Sequence, residues 1–311
     1  MKEFIVSKDF NDTRLDRFVQ KACRDIPKGA IQKLLRKGEI KINGKKAPAE
    51  AKIKEGDVIR VYAKTDDFKL KVARGLPKLK VIYEDENIVA INKEPYLPVQ
   101  LGQDIVDCVT ERLKNYLRKE IEASNGLFIP GVVGRLDTNT SGIVLAGKTP
   151  DATRHLEELN RDSKIEKIYV ALVKGTFPKS LKATHYAIKN VIDNKMILSE
   201  TEKEGSVKMV TAFECIDSVN GYSLVRAKLI TGKTHQIRSQ LAFLDFPIIG
   251  DAKYGDRITN QRTYTECGLN RQFLHAYEVK FNLWYDIGDV RIRCEIPKDL
   301  KDCLNLFEMA L

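Results

Sequence analysis

Between Val133 and Lys148 the chain reads VGRLDTNTSGIVLAGK, and this stretch leaves it few ways to fold. Thr, Asn, Ser and Gly crowd around a single carboxylate, Asp137, and their side chains bond their own backbone, which favours a tight turn over helix or strand. The apolar run Ile143-Val144-Leu145-Ala146 follows at once and reads as a buried strand. The chain must therefore carry a rigid polar turn that feeds directly into the middle of a sheet. A carboxylate at the tip of such a turn, beside Arg135 and several hydroxyls, is suited to act as a nucleophile or general base. It is equally suited to cap the turn, and the local pattern leaves both readings open.

The segments around this stretch alternate between strand and helix patterns. Ile82 to Lys93 gives strand, acidic turn, strand, and Val106, Val109, Leu113 and Leu117 carry a helix to Lys119. Asp151 to Ser163 is amphipathic, with Leu156 and Leu159 inward and His155 on the surface. Lys167 to Gly175 alternates as a strand. Between Thr184 and Ala227 the runs Lys195 to Ser199, Lys208 to Cys215 and Tyr222 to Ala227, separated by polar turns, predict an antiparallel meander, with His185 structural. After Leu229, Thr234 is placed to cap a helix whose apolar face is Ile237, Leu241 and Leu244. The fold class is α+β: a mixed, largely antiparallel sheet flanked by helices over residues 76–311, preceded by a small unit over 1–75, with a polar linker at 63–80 running across the boundary.

Charge singles out that first unit. The chain carries 53 Lys and Arg against 43 Asp and Glu, a net +10. Residues 1 to 70 hold 18 basic and 11 acidic side chains, so +7 of the +10 lies in less than a quarter of the length. Such a bias points to a polyanionic partner. Thr13, as an expected N-cap with Asp16 three residues on, opens a helix with Leu15, Phe18, Val19 and Ala22 inward. A second helix, Lys28 to Lys37, turns Ile31, Leu34 and Leu35 inward and Lys33, Arg36 and Lys37 outward, and Gly38 ends it. Like charges one turn apart cost a helix some stability, so a basic face is expected to bind something. Glu39 to Lys45, with an Asn43-Gly44 turn, and Lys54 to Tyr62 add two strands. Met1 to Val6 shows no apolar signal core and no 18-residue apolar run occurs, which predicts a cytoplasmic protein without a membrane partner. The six cysteines show no ligand spacing and are expected to be reduced structural thiols.

Gly134-Arg135-Leu136-Asp137-Thr138-Asn139-Thr140-Ser141-Gly142 closely resembles the catalytic loop of the RluA-type pseudouridine synthases, usually HRLDxxTSG. Lys167-Ile168-Tyr169-Val170-Ala171-Leu172-Val173-Lys174-Gly175 resembles the family's KxYxAxVxG segment. Thr231-Gly232-Lys233-Thr234-His235-Gln236-Ile237-Arg238 and Pro247-Ile248-Ile249-Gly250-Asp251-Ala252-Lys253-Tyr254-Gly255 resemble TGRTHQIR and PIxGDxxYG. Residues 13 to 62 are similar to an S4 domain, an RNA-binding module found in family members that act on large-subunit ribosomal RNA. The resemblance implies an enzyme that isomerises uridine in structured RNA to pseudouridine, with 23S ribosomal RNA the favoured substrate and transfer RNA the alternative. It implies Asp137 as the essential carboxylate, Tyr169 stacking on the target uracil, and Arg238 pairing with Asp137. An arginine beside a carboxylate favours its ionised form and can fix its orientation bidentately. Arg135, Thr234 and His235 would hold RNA, together with Lys33, Arg36 and Lys37 of the basic helix. His275, in Gln272-Phe273-Leu274-His275-Ala276, is expected to be structural, and Arg14-Leu15-Asp16 repeats the RLD letters inside a helix without the turn. No cofactor and no metal are implied, and the chain is expected to work as a monomer.

The chain departs from the family pattern at Gly134 and Gln240, where histidine is usual, and both are expected to lie beside the active site. Lys93-Glu94-Pro95 stands where a Lys-Pro-x-Gly-type loop is usual and receives no role. Two other readings are a non-catalytic RNA-binding or ribosome-assembly protein, opposed by intact Asp137, Tyr169 and Arg238, and a carboxylate nucleoside hydrolase, opposed by the lack of a second catalytic carboxylate.

Overall fold

A computed structural model describes the chain except for residues 24, 25, 27, 63–74, 103–105, 124–127, 191 and 283–288. The linker expected at 63–80 therefore lies mostly outside the described residues.

The N-terminal unit forms from β1 (Lys2–Ile5), α1 (Leu15–Ala22), α2 (Lys28–Lys37), β2 (Ile40–Ile42), β3 (Lys45–Lys46) and β4 (Val58–Val61), with sheet order β1-β4-β2-β3. Helices α1 and α2 cover a core that includes Phe4, Phe10 and Phe18, whose rings meet edge to face at 6.2 and 5.3 Å. Strand β1 was not among the sequence expectations. Phe4 and Val6 point inward, but Ile5 between them is exposed, which blurs the two-residue alternation. Thr13 does not cap α1. The N-cap position falls on Arg14, which makes no side-chain cap and instead pairs with Asp16 at 2.9 Å. Gly38 ends α2 in a left-handed conformation, its N–H bonding Leu35 O while Glu39 N–H reaches back to Leu34 O. Lys33, Arg36 and Lys37 are all exposed on α2.

Residues 81–293 contribute eleven strands, among the described residues, to one sheet. Its edge is β5 (Val81–Glu84) beside β6 (Ile88–Lys93), followed by β8 (Ser141–Gly147), which also pairs with the short β7 (Val132–Val133). β14 (Leu274–Asn282) joins β8 on one side and β9 (Glu166–Lys174) on the other, and β15 (Asp289–Arg293) pairs with β14. From β9 the order continues through β13 (Tyr222–Leu229), β12 (Val207–Val219), β10 (Ser180–Asn190) and β11 (Lys195–Ser199), all antiparallel. This corrects the expected meander: β10 lies between β11 and β12 and pairs with both, so these two runs are not neighbours. The β8–β14 contact is parallel, and the other pairings among the described residues are antiparallel.

β8 is apolar on both faces because helices lie on both. Ile143 and Leu145 meet Leu156 and Leu159 of α5 (Pro150–Arg161), and Val144 and Ala146 meet Val109 and Leu113 of α3 (Val109–Tyr116). α3 starts three residues later than expected, leaving Val106 exposed outside it, and a second helix, α4 (Arg118–Ala123), follows it. The remaining helices are α6 (Gln236–Phe243), α7 (Arg257–Cys267) and α8 (Lys298–Leu306). None of the six cysteines is in a disulfide. Among the described residues, no helix is long and apolar enough to cross a membrane.

Candidate active site

Asp137 sits in the loop between β7 and β8, where Thr140 N–H closes a turn onto Asp137 O at 3.0 Å. Each following residue of the loop is tied to a group far away in sequence. Lys93, fully buried at the end of β6, donates to Thr138 O at 2.8 Å and also to the carbonyls of Glu94 and Leu97. Arg271, also buried, donates to Asn139 O at 3.2 Å while its other nitrogens hold Asp299 of α8 at 2.6 and 3.1 Å. Gln272 donates to the Thr140 hydroxyl, and Ser141 Oγ pairs with His275 Nδ1 at 2.9 Å. Gly142 then enters the parallel contact with β14 at φ 117°, where a Cβ would lie 2.3 Å from Ala276 O. Only glycine allows that approach.

Arg238 meets the carboxylate from α6. Its Nη1 donates to Asp137 Oδ2 at 2.7 Å, while Nε and Nη2 grip Asp251 at 2.6 and 2.8 Å. The bidentate partner of Arg238 is therefore Asp251, a correction to the expected two-point hold on Asp137, which receives one bond. A planar fork with donors on two edges can serve both carboxylates at once. Burial works against the Arg238 charge, but Asp251 and Asp137 outweigh it and hold its pKa above the ordinary value. Burial likewise opposes the Asp251 charge, yet Arg238 and the N–H groups of Lys253 and Tyr254 keep its carboxyl below its usual range.

Tyr169 on β9 is 8% exposed, and burial together with the nearby charge of Asp137 raises its pKa, so its phenol is neutral. His235 lies at the start of α6 with Nε2 4.0 Å from Asp137 Oδ2, and Arg135 is exposed two residues before Asp137. Thr234 is exposed and is not the cap. His235 occupies that position with a left-handed backbone and no side-chain cap, while the Gln236 side chain accepts from Lys233 N–H in the loop before the helix.

The sequence model of the RNA pseudouridylate synthase family matches residues 87–243. Ribosomal large subunit pseudouridine synthase C of Vibrio vulnificus (strain CMCP6) is 33% identical over 285 residues, covering 89% of this chain and 87% of that protein. The protein of the same name from Escherichia coli (strain K12) is 33% identical, covering 100% of this chain and 98% of its own length. The chain belongs to the RNA pseudouridylate synthase family. The solved structure of human RNA pseudouridylate synthase domain containing 4 shares its fold, with a TM-score of 0.61 at 24% identity over 75% of this chain and 94% of that one. The chain is accordingly an isomerase acting on RNA.

Within this synthase, the two departures from the family pattern have different surroundings. Gly134 has φ 78°, which glycine suits, and a Cβ there would meet Lys167 Nζ at 3.8 Å and Asn160 Oδ1 at 3.9 Å in ordinary contact. Gln240 is not beside the active site. It is fully buried on the far side of α6, where it accepts from Thr211 Oγ1 at 2.6 Å and contacts Ala183 O, His185 Nδ1 and Met209 O. Its task is to fasten α6 to β10 and β12. His275 is buried between Ser141 and the Cys294 carbonyl, and burial lowers its pKa to about 4, in keeping with a structural role.

Sequence reasoning passed over Lys93, Arg271 and Asp299. A lysine ending the apolar run Ile88 to Ile91 was the available signal, since a lysine is almost never fully buried without partners.

Proposed function

We propose that Asp137 is the catalytic carboxylate of a synthase that isomerises uridines of large-subunit ribosomal RNA, with residues 76–311 as the catalytic domain and residues 1–75 as an S4-like module that binds RNA. The observation that carries the catalytic assignment is the 2.7 Å contact between Arg238 and Asp137, residues 101 positions apart that meet at the tip of a loop fastened on every side. The names of the full-length relatives support ribosomal RNA as the substrate.

The reaction breaks the N1–C1′ bond of uridine, turns the base and joins C5 to C1′. The C5 proton leaves and N1 gains one, so no redox partner is needed. A carboxylate beside the glycosidic carbon can act covalently, as in retaining glycosidases. Arg238 holds one oxygen of Asp137 and leaves the other to face substrate. Tyr169, neutral and apolar over most of its ring, offers a surface against the uracil. Arg135, exposed at the loop, helps to hold RNA with the uridine out of its stack, an extrusion that costs a few kcal/mol, and Thr234 and His235 assist in holding the RNA. Lys33, Arg36 and Lys37 contact phosphates.

Asp137→Asn is isosteric but can serve neither as nucleophile nor as base. It is expected to abolish tritium release from RNA carrying 5-tritiated uridine while leaving folding and RNA affinity nearly intact. Activity within a few-fold of wild type would sink the assignment. Mapping of cellular pseudouridines with and without the gene identifies the target RNA.

A further inference from the structure

Tyr254 makes three contacts that have no place in the isomerisation chemistry itself. Its hydroxyl accepts from Met196 N–H at 2.7 Å and meets His235 Nδ1 at 3.0 Å, and its ring lies 5.3 Å from the Arg238 guanidinium carbon. A phenol has one proton to give. The backbone N–H of Met196 uses its oxygen as acceptor, and among the described residues the remaining partner is His235 Nδ1. Spending that proton on Nδ1 puts the proton of a neutral His235 on Nε2, the nitrogen that lies 4.0 Å from Asp137 Oδ2. The opposite tautomer would turn a lone pair toward the carboxylate.

We propose that Tyr254 is a positioning residue of the active site: anchored to the backbone of β11, it fixes the tautomer of His235 so that an N–H faces Asp137, and its ring holds Arg238 in place. The proposal rests on Asp137 being the reactive carboxylate.

The groups around His235 agree with this arrangement. Asp137, Asp251, Arg238 and Lys253 face it, and burial together with Arg238 and Lys253 outweighs the two carboxylates and lowers its pKa, so the imidazole is neutral at pH 7. Which nitrogen of a neutral ring carries the proton is set by the hydrogen bond that the other nitrogen makes. The backbone supports the same reading. His235 holds φ 52°, a conformation that non-glycine residues adopt sparingly and that tends to persist where a site over-determines it. Tyr254 also ties the site to the β10–β11 hairpin, because Met196 is on β11, and Lys253 Nζ donates to Asn194 O at 3.2 Å in the turn between those strands.

The test uses the full-length protein with 15N-labelled histidine. The chain has four histidines, so long-range 1H–15N correlation gives a sparse spectrum in which His235→Gln identifies one ring. Wild type is expected to show His235 neutral with its proton on Nε2. Tyr254→Phe keeps the ring over Arg238 and removes only the hydroxyl, and should convert His235 to a mixture of tautomers or to the protonated form. With it, kcat should fall about 5- to 30-fold, the scale of one or two kcal/mol of orienting contact, while KM stays within about 2-fold because ground-state RNA binding is untouched. In a His235→Gln background the same Tyr254→Phe change should cost little more, since the group it orients is gone. A proton on Nδ1 in wild type, or an unchanged tautomer with full kcat in Tyr254→Phe, overturns the proposal. A wild-type protein without synthase activity would sink the functional reading instead, and the tautomer would still decide how Tyr254 and His235 are arranged.

Discussion

Arg238 holds two carboxylates with one guanidinium, and the two bonds have different consequences when removed. Arg238→Met leaves Asp251, 1% exposed, without its counter-charge, a loss that typically destabilises a protein by about 3–5 kcal/mol, and it frees Asp137 from its orienting partner. The variant is expected to lose both thermal stability and tritium release. Adding Asp251→Asn should restore much of the stability, since the uncompensated buried charge is gone, and none of the activity. Arg238→Met with wild-type stability would mean that the backbone N–H groups of Lys253 and Tyr254 suffice for Asp251. Lys93 gives a prediction in pH. Burial lowers its pKa from 10.5 to about 7, and only the protonated amine has the three donors that its three carbonyls use. In the unfolded chain Lys93 titrates near 10.5, so between pH 7 and 10.5 the unfolded state binds more protons and this group's contribution to stability rises with pH. The clamp on Thr138 loosens over the same window. Synthase activity should therefore decline as pH rises through about 7 with no accompanying loss of thermal stability, and the residual activity of Lys93→Met should lack that limb. A rate that is flat from neutral to alkaline pH would show that the loop does not need the third donor.

At the scale of elements, the catalytic loop is positioned by the strand it enters and by groups far away in sequence. Gly142→Ala would drive a methyl group into the Ala276 backbone at 2.3 Å and force an L-residue to φ 117°. The combined overpacking and strain should cost about 2–4 kcal/mol and loosen the β8–β14 pairing, readable by denaturant unfolding and by hydrogen exchange at Gly142 and Ala276. Wild-type stability would mean that the two strands can part without cost. The loop and β8 were legible in the sequence because turn chemistry and an unbroken apolar run act locally, and Asp137, Tyr169 and Arg238 stood inside recognisable segments. The two caps were not legible. Thr13 and Thr234 satisfy the local rule for an N-cap, yet α1 starts after Arg14 and α6 after His235, neither with a side-chain cap. The clamps of Lys93 and Arg271 join β6, the loop and α8, and no local pattern announces a bond across 132 positions such as Arg271 to Asn139. Gln240 was misplaced for a geometric reason: two helical positions from Arg238 turn a side chain to the opposite face, toward His185 and Thr211 rather than Asp137.

For the whole molecule, what matters is how the charge of residues 1–70 relates to the catalytic machinery of residues 76–311. The small sheet and its aromatic core enclose their own hydrophobic cluster, and Lys33, Arg36 and Lys37 stay exposed on α2 without being needed for that core. Their exposure fits a grip on phosphates, which positions an RNA without reading its sequence. Deleting residues 1–75 should therefore leave a folded catalytic domain whose RNA affinity is weaker and less sensitive to salt. Every phosphate that the protein no longer neutralises reduces the slope of log affinity against log salt by roughly 0.7 to 0.9, so removing three such cations should change it by about 2 to 3. Activity on a long structured RNA should fall more than activity on a short stem-loop, because the short substrate fills only the catalytic cleft while the long one reaches both units. Binding titrations at several salt concentrations, with tritium release on both RNAs, check this. Equal losses on the two substrates with an unchanged slope would show that the module does not bind RNA and that its basic helix is a solvated face.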